Sequence, residues 1–166
     1  MTGRDPAPPD GFVALPVVEA RALGFDPIAF HARRIGDALA LGFRVGPQHC
    51  NPGGRCHGGV LATFCDIQLA FAVMFDTPAL ATTILPTVNL SIDYLAAVLP
   101  GAWVQGIGGT VSVTRNLAVA QCVATADGVP AVRTSGIYKV GGARVTGIDT
   151  GAWLRAHVGK VDVGQA

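Results

Sequence analysis

GGVLATFCDIQLAFAVMF, residues Gly58–Phe75, decides the architecture of this 166-residue chain. It has no period-two alternation, is long enough for four helical turns and runs into the stop signal Asp76-Thr77-Pro78, which predicts a single helix. Val60, Leu61, Phe64, Ile67, Leu69, Phe71, Val73 and Met74 leave no wide polar face, so the helix should be buried and wrapped by other elements. Thr63, Asp66 and Gln68 interrupt the run, which falls short of the ~20 consecutive apolar residues of a bilayer span.

The wrapping is expected on both sides of the helix. Upstream, ALALGFRV within Asp37–Val45 reads as a strand ending at the Gly46-Pro47 breaker. Downstream come four strand-like runs: TILPTVNLSIDYLAA, AWVQGIGGTVSVT, LAVAQCVATA and PAVRTSGIYKV. In the first, Val88, Leu90, Ile92 and Tyr94 alternate with Thr87, Asn89, Ser91 and Asp93, which predicts one buried face carrying the apolar set. Arg115-Asn116 and Asp127-Gly128 fall at hairpin positions, and Asp-Gly suits a tight primed turn. Gly106–Gly109 lies inside a strand run and reads as a bend in the sheet. One antiparallel sheet folded around one helix, an α+β arrangement, buries both apolar surfaces.

This domain spans residues 37–142. Residues 1–36 form an N-terminal extension, with a disordered Pro- and Asp-rich lead and a mixed stretch, PVVEARALGFDPIAFHARR, that could hold a short helix or turn. Residues 143–166 form a C-terminal extension in which Trp153-Leu154 marks a short packed helix.

Half the residues are apolar and 14% are charged, the balance of a well-buried globular chain that tends to self-associate. A formal charge of +1 gives no broad basic field, so neither nucleic acid nor an anionic membrane is the expected partner. The start MTGRDPAPPDG lacks the apolar core of a signal peptide, and a cytoplasmic location with reduced thiols is expected for Cys50, Cys56, Cys65 and Cys122. Cys50 and Cys56 are too widely spaced for a usual zinc pair and no second pair closes a tetrahedral set, so no metal is expected.

Asp66 is the only charged residue between Arg55 and Asp76 and sits mid-way along the most apolar helix. An unpaired buried carboxylate costs several kcal/mol, so a partner, a wet pocket or a function must account for it; a structural Asp bonded to loop amides or an arginine is the plain alternative. Gly58 and Gly59 open the helix, where unpaired amides and the dipole form an oxyanion site, although Gly-Gly alone is also an ordinary loop ending. His57 could act as acid, base or orienting donor, or be merely structural. Asn51 could donate its amide to a carbonyl oxygen, or serve only the turn before Pro52.

Eight residues at ~1.5 Å rise separate Gly58 from Asp66 by about 12 Å along the helix. A carboxylate and an amide serving one carbonyl must lie within roughly 6 Å of each other. If both act, the site is built between two subunits, and a two-fold dimer holds two such sites.

The stretch NPGGRCHGG from Asn51, followed nine residues after His57 by Asp66 in an apolar helix, resembles the PaaI-like (phenylacetic-acid-degradation type) branch of hotdog-fold thioesterases. LPTVNLSIDYLAAVLPG resembles the strand that follows the helix in that family. The resemblance, covering about Asp37 to Val140, implies a hotdog fold and hydrolysis of an acyl-CoA, with coenzyme A as part of the substrate and no other cofactor. It implies that Asn51 and the Gly58 amide hold the thioester carbonyl, that His57 assists the leaving group, and that Asp66 of the neighbouring subunit is nucleophile or general base. By the same resemblance Thr87 orients the water, while Gly59, Val88, Arg115 and Asn116 contact the substrate or its coenzyme A. Relatives often carry a glycine and more basic residues at the Arg115-Asn116 turn, a departure from the pattern. A homodimer of joined sheets, paired into a tetramer, is also implied. The alternatives are a non-catalytic acyl-CoA-binding protein and a hotdog hydratase or dehydratase. For the latter, Asn51-Pro52 matches only superficially, since His49 replaces the expected Asp and His57 follows three residues late.

Overall fold

The computed structural model describes residues 7–15, 28–141, 150–158 and 160–161. Its centre is helix α1, Gly58–Asp76, whose Leu61, Phe64, Cys65, Ile67, Leu69, Phe71, Val73 and Phe75 are buried. By length and composition α1 could cross a membrane, but here the sheet and a second helix cover it. It packs chiefly on the strands from β3 onward: β3 (Ala38–Arg44), β4 (Thr87–Tyr94), β5 (Trp103–Ile107), β6 (Gly109–Val113), β7 (Leu117–Ala126) and β8 (Val129–Lys139). With the short β1 (Val13–Ala14) and β2 (His31–Ile35), the order is β1-β2-β3-β5-β7-β8-β4, with β6 on β7 and β9 (Lys160–Val161) parallel to β2. A sheet folded around one helix is the hotdog architecture expected from the sequence.

Three local findings refine that expectation. The stretch ahead of residue 37 holds a strand where a short helix or turn was expected: β2 pairs with β3 from Ile35↔Ala38 to His31↔Gly42, so this hairpin crosses the boundary drawn at 36/37. Its Arg33-Arg34 pair masks the strand pattern. Residues 1–6 of the expected disordered lead and residues 16–27 of the mixed stretch lie outside the described residues, whereas residues 7–11 of the lead are held against the domain: Arg44 donates to Ala7 O at 2.8 Å and Phe12 N–H to Pro9 O at 3.3 Å.

The run Ala102–Thr114 is two strands broken at Gly108, and both halves pair along β7 apart from the break. A Cβ on Gly108 would sit 2.6 Å from the Ala72 Cβ and 2.8 Å from the Gln68 amide. The bend read from the glycines is therefore a place where the sheet passes too close to α1 for any side chain. The Asp127-Gly128 turn has positive φ at both residues, 47° and 83°, as a type I′ hairpin requires. The short C-terminal helix α2, Thr150–His157, packs Leu154 fully out of solvent and lies against α1.

The third finding corrects the alternation in β4. Leu90 and Ile92 pack against the core, but Val88 and Tyr94 are 59% and 53% exposed in the single chain. Pairing with β8 shifts between Thr87↔Tyr138 and Asn89↔Ile137, which makes Val88 the extra residue of a β-bulge. Directly opposed residues share a face, so Thr87 takes the inward place beside Tyr138 and Val88 does not. β4 forms one edge of the sheet.

Candidate active site

His57 is the N-cap of α1, held in an extended conformation, and its ring Nδ1 accepts the Gly59 N–H at 2.9 Å. Accepting there leaves the ring proton of the neutral imidazole on Nε2. A Cβ on Gly59 would meet that ring at 3.1 Å, so the glycine gives the cap its room. The Gly59 amide is thus turned to His57, while among the described residues the Gly58 N–H has no partner. Gly58 is the open donor at the positive end of the helix.

Tyr94, at the end of β4, donates its hydroxyl to the Gly58 carbonyl at 2.8 Å, with its ring 3.3 Å from where a Gly58 Cβ would lie. Asn51 uses its side-chain oxygen internally, accepting Gly53 N–H at 2.9 Å and Arg55 N–H at 3.4 Å. Turn chemistry therefore occupies Oδ1 and leaves the amide group for a ligand. An isolated antiparallel bridge, Cys50↔Cys56, closes the loop, and Cys56 N–H donates to Val98 O at 2.8 Å. Asn51, Arg55, Cys56, Gly58, Leu61, Tyr94 and Leu95 line an open cleft of about 370 Å³. Burial first, then the neighbouring Cys50, pushes the Cys56 thiol in its wall up to about 11, so it is no nucleophile near neutral pH.

Asp66 belongs to a second cluster. Thr87 donates its hydroxyl to Oδ1 at 2.8 Å. The Tyr138 hydroxyl lies 2.9 Å from the Asp66 main-chain oxygen and 3.3 Å from Oδ1. Tyr138 is fully buried, and burial first, then the Asp66 charge, raises its phenol far above the ordinary range. The Arg115-Asn116 turn falls at the same end of the sheet: Leu117 pairs with Lys139 and Ala118 with Tyr138, while Asn116 O accepts from Val140 N–H. Both turn residues are exposed.

The predicted residues thus divide. Asn51, His57, Gly58 and Gly59 gather at the helix start; Asp66 and Thr87 meet two turns later, near Arg115 and Asn116. Val88 is beside Thr87 in sequence but is the outward residue of the bulge. Sequence reading missed Tyr94, Arg55 and Tyr138. For the two tyrosines, the only ones in the chain, the available signal was a polar hydroxyl within a strand run; Arg55 carried none.

A profile of the thioesterase superfamily matches residues 53–131. A Pseudomonas aeruginosa protein named "putative esterase" is 33% identical over 67 residues, 40% of this chain and 48% of that protein, so the match spans about half the relative's length. A hypothetical thioesterase of Streptococcus pneumoniae, crystallised with coenzyme A, superposes with TM-score 0.60 at 23% identity, covering 70% of this chain and 91% of that one. The Escherichia coli PaaI protein of the phenylacetic acid degradation operon superposes with TM-score 0.59 at 18% identity, covering 72% and 86%. Residues 53–131 carry the thioesterase-superfamily pattern, and the chain that holds them has the hotdog fold.

Proposed function

We propose that this protein is an acyl-CoA thioesterase that works as a pair of chains. The acyl carbonyl sits at the Gly58 amide of one chain, assisted by the Asn51 amide, and Asp66 of the other attacks it or activates water. The observation that carries the reading is the placement of Asp66: a carboxylate in an apolar helix, held by Thr87 at an open sheet edge, two turns away from the donors it would need. The coenzyme A held by the Streptococcus pneumoniae structure supports the substrate class.

The bulge in β4 makes the pairing geometrically simple. Antiparallel pairing of two β4 edges about Ser91 sets Leu90 against Ile92 of the second copy. Because Val88 is the extra residue, Thr87 then comes opposite Tyr94. Asp66 and Thr87 of one chain thereby face Gly58 and Tyr94 of the other, twice about the two-fold axis. A second pairing into a tetramer, and contact of Arg115 and Asn116 with the nucleotide end of coenzyme A, extend the same reading.

In hydrolysis the thioester C–S bond breaks, the thiolate leaves with a proton, and the acyl carbon gains a water oxygen. His57, with its proton on Nε2, is the group placed to assist the leaving thiolate. A panel of acyl-CoAs spanning phenylacetyl, benzoyl and hexanoyl groups, read by release of free thiol, tests the activity. Asp66→Asn should lower kcat by roughly 10²-fold or more while the chains still assemble. Near-normal turnover in that variant overturns the assignment. Single turnover in labelled water separates the two roles: direct attack, with water opening the anhydride at Asp66, gives unlabelled acid.

A further inference from the structure

We infer that Tyr138 is a positioning residue which, together with Thr87, holds Oδ1 of Asp66 and leaves Oδ2 as the oxygen that meets the acyl carbon or the water. The inference rests on the hydrolysis reading above. Thr87 reaches Oδ1 at 2.8 Å from the strand edge, and Tyr138 reaches the same oxygen at 3.3 Å from the buried side. Among the described residues Oδ2 accepts no hydrogen bond. The two donors come from directly opposed residues of β4 and β8, and the Val88 bulge is what places Thr87 on that face.

The Tyr138 hydroxyl has one proton and two acceptors, the Asp66 main-chain oxygen at 2.9 Å and Oδ1 at 3.3 Å. A carboxylate oxygen is the stronger acceptor of the two, so the hydroxyl is available to hold Oδ1 beside Thr87. The neighbouring Cys65 thiol is pushed up to about 12, chiefly by burial.

The test is kcat and KM of the full-length assembly with the panel acyl-CoA turned over fastest. Tyr138→Phe should lower kcat about 10-fold with KM little changed, the size of one hydrogen bond to a charged group. Thr87→Val should do the same and Thr87→Ser should restore kcat. A Tyr138→Phe enzyme with unchanged kcat overturns the inference, whatever its stability. If that variant does not fold, 3-fluorotyrosine can be incorporated in a Tyr94→Phe background, where position 138 is the sole tyrosine. The more acidic phenol is a better donor, so relative to unlabelled Tyr94→Phe kcat should change at unaltered KM; no change overturns the inference. Turnover surviving in Asp66→Asn overturns the hydrolysis reading itself, whereas a dead Asp66→Asn with unchanged kcat in Tyr138→Phe overturns only the role of Tyr138.

Discussion

At the head of α1, the His57 ring takes the Gly59 amide and so leaves the Gly58 amide as the open donor. In the proposed reaction this one residue combines its capping role with a chemical one, and two substitutions can separate them. His57→Ala removes the cap and should cost about 0.5–2 kcal/mol, read as a lower urea midpoint at unchanged slope. His57→Asn supplies a good capping oxygen without a ring, so it should recover most of that stability but not the turnover lost with the imidazole. Equal recovery of both would make His57 a cap alone. The sequence showed which residue types stand here but not how Nδ1 is used, because a cap is defined by backbone angles and a contact two residues on.

Strand and helix positions were legible wherever a pattern repeats. The apolar run of α1, the Asp127-Gly128 turn and the strand runs after Thr82 each rest on short-range chemistry that neighbours in sequence report directly. What stayed hidden depends on elements far apart in the chain. The β4 bulge exists only relative to β8, and strict alternation placed Thr87 on the wrong face. Tyr138 meets Asp66 from 72 residues away. The break between β5 and β6 is intermediate: the glycines announced a bend, while its cause is the Gln68 and Ala72 side of α1 pressed against Gly108. Gly108→Ala should therefore cost about 1–3 kcal/mol through overpacking. Gly109→Ala, where a Cβ meets nothing within 4 Å, should be close to neutral. Urea unfolding of the pair checks this, and similar costs at both positions would remove close packing as the reason for the break.

For the molecule as a whole, the proposed division of the site between the start and the middle of one helix predicts an assembly that mixing can test. Asp66→Asn removes one half-site. Gly58→Pro removes the other, since proline has no amide proton but is tolerated at the first helical position, and His57 before it already has the extended backbone, φ −65° and ψ 135°, that a residue preceding proline adopts. The Tyr94 ring need yield only a few tenths of an ångström, as a Cβ at Gly58 lies 3.3 Å from it. In the proposed dimer each variant alone carries two defective sites and should be nearly inactive. When the variants are unfolded together and refolded at equal concentration, about half the dimers are mixed by random pairing. In a mixed dimer one site receives both defects and the other receives neither. About a quarter of wild-type activity should then return, with an unaltered KM. Were Asp66 and Gly58 of the same chain to serve one substrate, every site in the mixture would keep one defect and nothing would be regained.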